Sequence, residues 1–160
     1  MAIGSLTARR RPATNTERDL EARIQELEDV RAITDLEADY AHAADTVDPD
    51  GYGSVFTEDG VIELGDRGEQ PTQRVSGRAA ISDFCRNVIA MSYKFGMHSL
   101  HNAQIVVDGD TATGKLYFEA TTHSVTDKIG WSSGSYQDEY VRTPEGWKIS
   151  KKVISFAFRR

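Results

Sequence analysis

From Leu20 to Val47, apolar residues recur every three or four positions: Leu20, Ile24, Leu27, Ile33, Leu36, Tyr40, Ala43 and Val47. That spacing, with one slip of phase near Val30, predicts a helix over residues 17–47. Thr16 with Asp19 three residues later forms an approximate capping box at its start. Pro49, Gly51 and Gly53 then interrupt the pattern, and the run GYGSVFTEDG has room for a helical turn. Asp59-Gly60 signals a turn before a strand at Val61–Leu64. Residues 67–73 are polar and turn-like, and Arg74–Val75 returns as a second short strand. Gly77 opens another helix, whose Ile81, Phe84, Cys85, Val88 and Ile89 share one face.

Beyond Gly96 the period changes to two. His98–Val107 alternates as a strand, Asp108-Gly109-Asp110 is a hairpin turn, and Thr111–Val125 is a long partner strand. Residues 131–142 and 147–158 form a second hairpin around Pro144-Glu145-Gly146. Helices first and long antiparallel strands afterwards define an α+β fold. The expected architecture is a cone-shaped, curved antiparallel sheet wrapped around helices, whose interior suits a small molecule. Residues 17–160 read as one domain, and residues 1–16 as a disordered leader.

Composition narrows the functions open to such a domain. The chain has 160 residues, enough to bury a core without disulfide or structural metal. Its 19 basic and 25 acidic side chains give a net charge of −6, which disfavours nucleic acid as a partner. No apolar run reaches the ~20 residues of a membrane span, and no apolar stretch follows the ARRRP run at 8–12, so neither a membrane anchor nor an export signal is expected. The single cysteine, Cys85, cannot form an internal bridge and fits a reducing, cytoplasmic setting.

The candidate chemistry lies in two places. Tyr40 and Asp45 stand where the first helix ends, and a carboxylate near a core is costly unless it is held or used. The segment MHSLHN supplies His98 and His101 at the start of a strand. Strand alternation puts His98, Leu100, Asn102 and Gln104 on one face and His101, Ala103 and Ile105 on the other, unless a bulge intervenes. The two histidines are thereby separated, and no HExxH, paired-cysteine or carboxylate-rich loop accompanies them, so no metal is expected. There is no phosphate loop and no dinucleotide fingerprint, so no cofactor is expected either. Five helical steps turn roughly 140°, so Tyr40 and Asp45 meet one cavity only if the helix ends early or the cavity wraps around its end. Asp48 and Asp50 read as turn and cap residues. Tyr52, Phe56, Phe84, Tyr93, Phe118, Trp131 and Tyr136 are the aromatic candidates to line an apolar pocket.

Five stretches carry a family resemblance: Tyr40-x4-Asp45, VFTEDG (55–60), SGRAAISDF (76–84), MHSLHNAQIVVDGDTATGKLYFEA (97–120) and GSYQDEYVRTPEGWKIS (134–150). The chain resembles SnoaL-like proteins of the nuclear transport factor 2-like superfold. Within it, the chain is similar to cofactor-independent dehydratases and dehydrochlorinases, including scytalone dehydratase, bile-acid 7α-dehydratase and hexachlorocyclohexane dehydrochlorinase. The resemblance implies that Asp45 pairs with His98, the general base, and that Tyr40 is a catalytic phenol. It leaves His101 structural or at a subunit contact. Ala120 stands where the bile-acid enzyme has a further functional aspartate. The function so implied is dehydratase-type elimination from a hydrophobic cyclic, steroid- or polyketide-like molecule. Tyr52, Phe56, Phe84, Phe118, Trp131 and Tyr136 would contact that substrate. The alternatives are an isomerase or polyketide cyclase using the same base, or a non-catalytic binding or accessory subunit. The sheet's outer face is expected to be covered by another copy, in a homodimer or homotrimer.

Overall fold

The computed structural model describes residues 15–160, so the expected leader lies outside it except for Asn15 and Thr16, which belong to the first helix. That helix, α1 (Asn15–Asp45), is half engaged. From Asp29 onward it buries Ile33, Leu36, Tyr40, Ala43 and Ala44, whereas Leu20, Ile24 and Leu27 are exposed. The apolar stripe before the phase slip therefore does not reach this core. Thr16 and Asp19 lie inside the helix, rather than Thr16 capping its start.

The end of α1 is sharp. Val47 takes φ 52°, a left-handed conformation uncommon for a β-branched residue, and the Asp48 N–H returns to the Ala43 carbonyl at 2.9 Å. Asp48 then caps α2 (Pro49–Ser54), its Oδ1 accepting from the Asp50 and Gly51 N–H groups at 3.1 Å. Pro49 fits the first turn because its missing N–H would find no partner there.

Strand β1 (Phe56–Asp66) is longer than its sequence suggests, and β2 (Gln73–Ser76) returns beside it. A helical segment follows as α3 (Arg78–Phe84), a π-helical turn (Cys85–Ile89) and a last turn, α4 (Ala90–Ser92). Four long strands complete the chain: β3 (Tyr93–Asp108), β4 (Thr111–Ser124), β5 (Ile129–Thr143) and β6 (Gly146–Arg159). They form one six-stranded sheet in the order β2-β1-β6-β5-β4-β3. Pairing is antiparallel except between β1 and β6, which run parallel, so the sheet is mixed rather than purely antiparallel. Residues 57–60, including the Asp59-Gly60 turn, form an excursion between the Phe56↔Ile149 and Val61↔Lys151 pairs.

Two further bulges decide which side chains face inward. On β3 the register slips between His101↔Tyr117 and Gln104↔Lys115, with Asn102 at φ 54°. Ile105 and Val107 consequently pack on the core with Leu100, on the same side as His98, where unbroken alternation would have turned Gln104 inward. On β6 one extra residue, Ser150, lies between Ile149, opposite Tyr140, and Lys151, opposite Glu139. That slip turns Lys152 into the core. The sheet curves over α1 and the α3–α4 segment, and Tyr40, Tyr52, Phe56, Phe118, Tyr136 and Tyr140 fill the space between them.

Candidate active site

Asp45, the last residue of α1, reaches across to the start of β3. Its Oδ1 lies 2.5 Å from His98 Nδ1, and its Oδ2 accepts the His98 backbone N–H at 3.0 Å. The contact fixes both the ring and the strand that carries it. Burial by itself would raise the Asp45 carboxyl, but the bonds from the His98 ring and backbone, with the charges of His98 and His42, hold it below the usual carboxylate range. Whenever the ring is neutral, an ionised Asp45 selects the tautomer with the proton on Nδ1, which leaves the lone pair on Nε2. Gly96 gives the carboxylate its room: a Cβ there would lie 3.0 Å from Asp45 Oδ1. The two side chains are 14% and 16% exposed, so the pair is neither dry nor fully solvated.

His98 forms part of the wall of a cavity of about 110 Å³. Tyr40, Tyr52, Phe118 and Tyr136 also line it, with Phe84, Val88 and Ile89 from the helical segment and Tyr93 from the start of β3. The π-helical turn thus borders the cavity, a common place for that irregularity. Thr122 and Ser132 add hydroxyls, and Ala120 lies beside His98 on the paired strand. Asp45 is not among the residues that line the cavity and sits behind His98. The Tyr40 and Tyr52 hydroxyls are 2.9 Å apart, and burial holds both phenols above their usual range. Phe118 stacks on Tyr136 with ring centroids 4.6 Å apart. Gly134 makes this possible, since a Cβ there would lie 2.8 Å from the Phe118 ring.

Two of the aromatic residues expected at the pocket lie elsewhere. Phe56 is fully buried behind Tyr40 and Tyr52, a core residue rather than a lining one. Trp131 points outward from β5 and stacks on Phe158, because odd-numbered residues of this stretch face away from the core. His101 also points outward, edge-on to Tyr117, in an open depression of about 730 Å³ on the outer face that holds neither Asp45 nor His98. His123 faces Phe95 and Asp127. Among the described residues no group of three or more His, Cys, Asp or Glu is placed to hold a metal, and no helix is long and apolar enough to cross a membrane.

Sequence reasoning missed the buried polar groups. Arg142 makes a two-pronged ion pair with Asp29 at 2.7 and 2.8 Å, and the Trp147 indole N–H donates to the same carboxylate at 3.1 Å. This ties α1 to the β5–β6 hairpin. Lys152, Glu37 and Asp138 form a second, fully enclosed cluster. The only signal for it was a charged residue interrupting the apolar stripe at Glu37.

Comparison with known proteins agrees with this architecture. Uncharacterised proteins of Mycobacterium tuberculosis and Mycobacterium bovis are 29% identical over 144 residues, covering 86% of this chain and 91% of theirs. A crystal structure of a candidate aromatic ring hydroxylase from Novosphingobium aromaticivorans is 35% identical, with a TM-score of 0.73, covering 82% of this chain and 91% of that one. At 21% identity the likeness is one of fold: a candidate scytalone dehydratase from Novosphingobium aromaticivorans has a TM-score of 0.75, covering 84% of this chain and 87% of its own. A hexachlorocyclohexane dehydrochlorinase from Novosphingobium barchaimii, also 21% identical, has a TM-score of 0.73, with 89% and 92% covered. Residues 25–153 match the SnoaL-like domain, and the chain belongs to that family.

Proposed function

We propose that this chain is a cofactor-independent lyase that eliminates water, or another small leaving group, from a hydrophobic cyclic molecule. One observation carries the reading: a carboxylate-oriented imidazole, Asp45–His98, at the wall of an aromatic cavity. His98 Nε2 takes a proton from a carbon next to a carbonyl. The electron pair of that C–H bond moves into the carbonyl as an enolate, whose oxygen accepts a hydrogen bond from the Tyr40 hydroxyl. Collapse of the enolate forms the carbon–carbon double bond and expels hydroxide, which leaves as water with the proton held on Nε2. Asp45 stabilises the imidazolium in between. The dehydratase and dehydrochlorinase among the structures of like fold support the same class of reaction.

The cavity's size and lining restrict the substrate. A 150 Å³ apolar cavity accommodates benzene, so about 110 Å³ leaves room for no more than a single small ring. A steroid-sized skeleton would need a larger cavity than this one. Among the described residues no lysine or arginine lines the cavity, which favours a neutral guest. The test is incubation with single-ring β-hydroxy ketones, followed by mass spectrometry. Loss of one water, absent with His98→Ala, is expected. Tight binding with no turnover, unaffected by His98→Gln, would instead mark a binding module.

A further inference from the structure

Behind the cavity lies a titratable cluster that this elimination does not use. Lys152 Nζ donates to Glu37 Oε2 at 2.8 Å and to Asp138 Oδ2 at 2.6 Å. The Tyr140 hydroxyl donates to Glu37 Oε1 at 3.0 Å and lies 3.4 Å from Asp138 Oδ2. All four residues are buried. The ring of Tyr140 lies across Gly114, where a Cβ would come within 2.6 Å of the hydroxyl. Lys152 Nζ also sits 4.5 Å from the Tyr40 ring centroid and 4.0 Å from that of Tyr136. Both rings line the cavity.

With both carboxyls ionised, this enclosed group would carry one net negative charge. The hydrogen bonds divide unequally. Each Glu37 oxygen accepts a bond, whereas Asp138 Oδ1 is buried with no hydrogen-bond partner among the described residues. A bare anionic oxygen in that position is expensive, and a proton on it removes the charge. Burial first, and then the neighbouring Glu37, push the Asp138 carboxyl well above its usual range against the pull of Lys152. For Lys152, burial opposes the charge, and the neighbouring Asp138 and Glu37 carboxyls raise the amine against it; with Asp138 protonated, the Glu37 carboxylate and the hydrogen bond to Asp138 Oδ2 hold the ammonium. The titratable groups facing Asp138 are Glu37 from α1, Tyr140 from β5 and Lys152 from β6, while Asp45 and Tyr52 act on Tyr136 nearer the cavity.

We propose that Asp138 carries a proton at neutral pH, so that the Lys152 ammonium faces the Tyr40 and Tyr136 rings from an electrically neutral cluster and acts as a positioning residue for Tyr40. An ammonium on the ring face favours electron density at the ring and strengthens the phenol as a donor. An ionised Asp138 would leave the cluster with one net negative charge and oppose a developing enolate. The consequence for catalysis rests on the proposed elimination; the proton on Asp138 does not.

The experiment needs no substrate. Asp138→Asn mimics the protonated carboxyl, and thermal unfolding of the full chain is followed from pH 5 to pH 8. A folded-state carboxyl that titrates above its unfolded value gives stability that is full below the unfolded range and is lost as pH rises. The wild-type unfolding constant should therefore rise about tenfold per pH unit from this group, a slope that Asp138→Asn abolishes. The variant should melt at or above wild type at neutral pH. Melting below wild type, or an unchanged slope, overturns the proton assignment. For the positioning role, the Tyr40 Cζ resonance is assigned in ¹³C-tyrosine protein through Tyr40→Phe. It should move in Lys152→Met and in the opposite direction in Glu37→Gln. No movement in whichever of these variants folds overturns that role.

Discussion

The hydroxyls of Tyr40 and Tyr52 share one hydrogen bond, 2.9 Å long, inside the aromatic wall of the cavity. Only one of the two can donate across it. If Tyr52 donates, the Tyr40 proton is free to point at a guest, and its oxygen is already polarised. Tyr40→Phe is then expected to lower kcat by roughly 10²–10⁴-fold with little change in KM. Tyr52→Phe should cost much less, because it removes support rather than the donor. Steady-state kinetics of both variants checks the order; equal losses would assign the phenols jointly.

The Asp45–His98 contact makes a prediction about both turnover and acid stability. His98→Ala and Asp45→Ala should each abolish measurable turnover while circular dichroism remains native. Because the folded Asp45 carboxyl lies below its usual range, its contribution to stability is present above the unfolded carboxylate range and is lost as pH falls through the folded value. Asp45→Asn should thus melt below wild type at neutral pH. The two proteins should converge in acid, and a gap that persists there would contradict the linkage.

Gly96→Ala tests the room behind the histidine. Its new Cβ, 3.0 Å from Asp45 Oδ1, must displace the carboxylate by a few tenths of an ångström. Gly96 is not among the positive-φ glycines, so alanine brings no backbone strain of that kind. Activity is expected to fall roughly ten- to a hundredfold with a small change in melting temperature. Unaltered activity would show that the imidazole tolerates a shifted partner.

The outer face predicts an assembly. Phe95, Met97, Ile129, Trp131 and Phe158 are exposed toward one end of the sheet, a density of large apolar groups that a lone domain seldom leaves uncovered. The expected homodimer or homotrimer should be visible by light scattering. Paired Trp131→Asp and Phe158→Asp substitutions should reduce the mass toward that of one chain. A monomeric wild type would refute this use of the face.

Local spacing was enough to predict the helical segments, the two long hairpins and the α+β order, because each rests on short-range periodicity and on turn residues such as Asp108-Gly109 and Pro144-Glu145. Tyr40, Asp45 and His98 were legible only through a resemblance in motif, since no local rule brings together residues 53 positions apart. Tertiary structure decided the rest. Parallel pairing of β1 with β6 joins elements from opposite ends of the chain, a choice periodicity does not encode. Bulges near Asn102 and at Ser150 each shift a two-residue alternation by one step; the second sends Lys152 inward to Glu37 and Asp138. A charged residue is affordable in the core only where its partners are already assembled, and those partners come from α1 and β5. Leu20, Ile24 and Leu27 repeat with helical spacing yet remain exposed, because periodicity gives a helix its apolar side while only the finished packing determines what meets it.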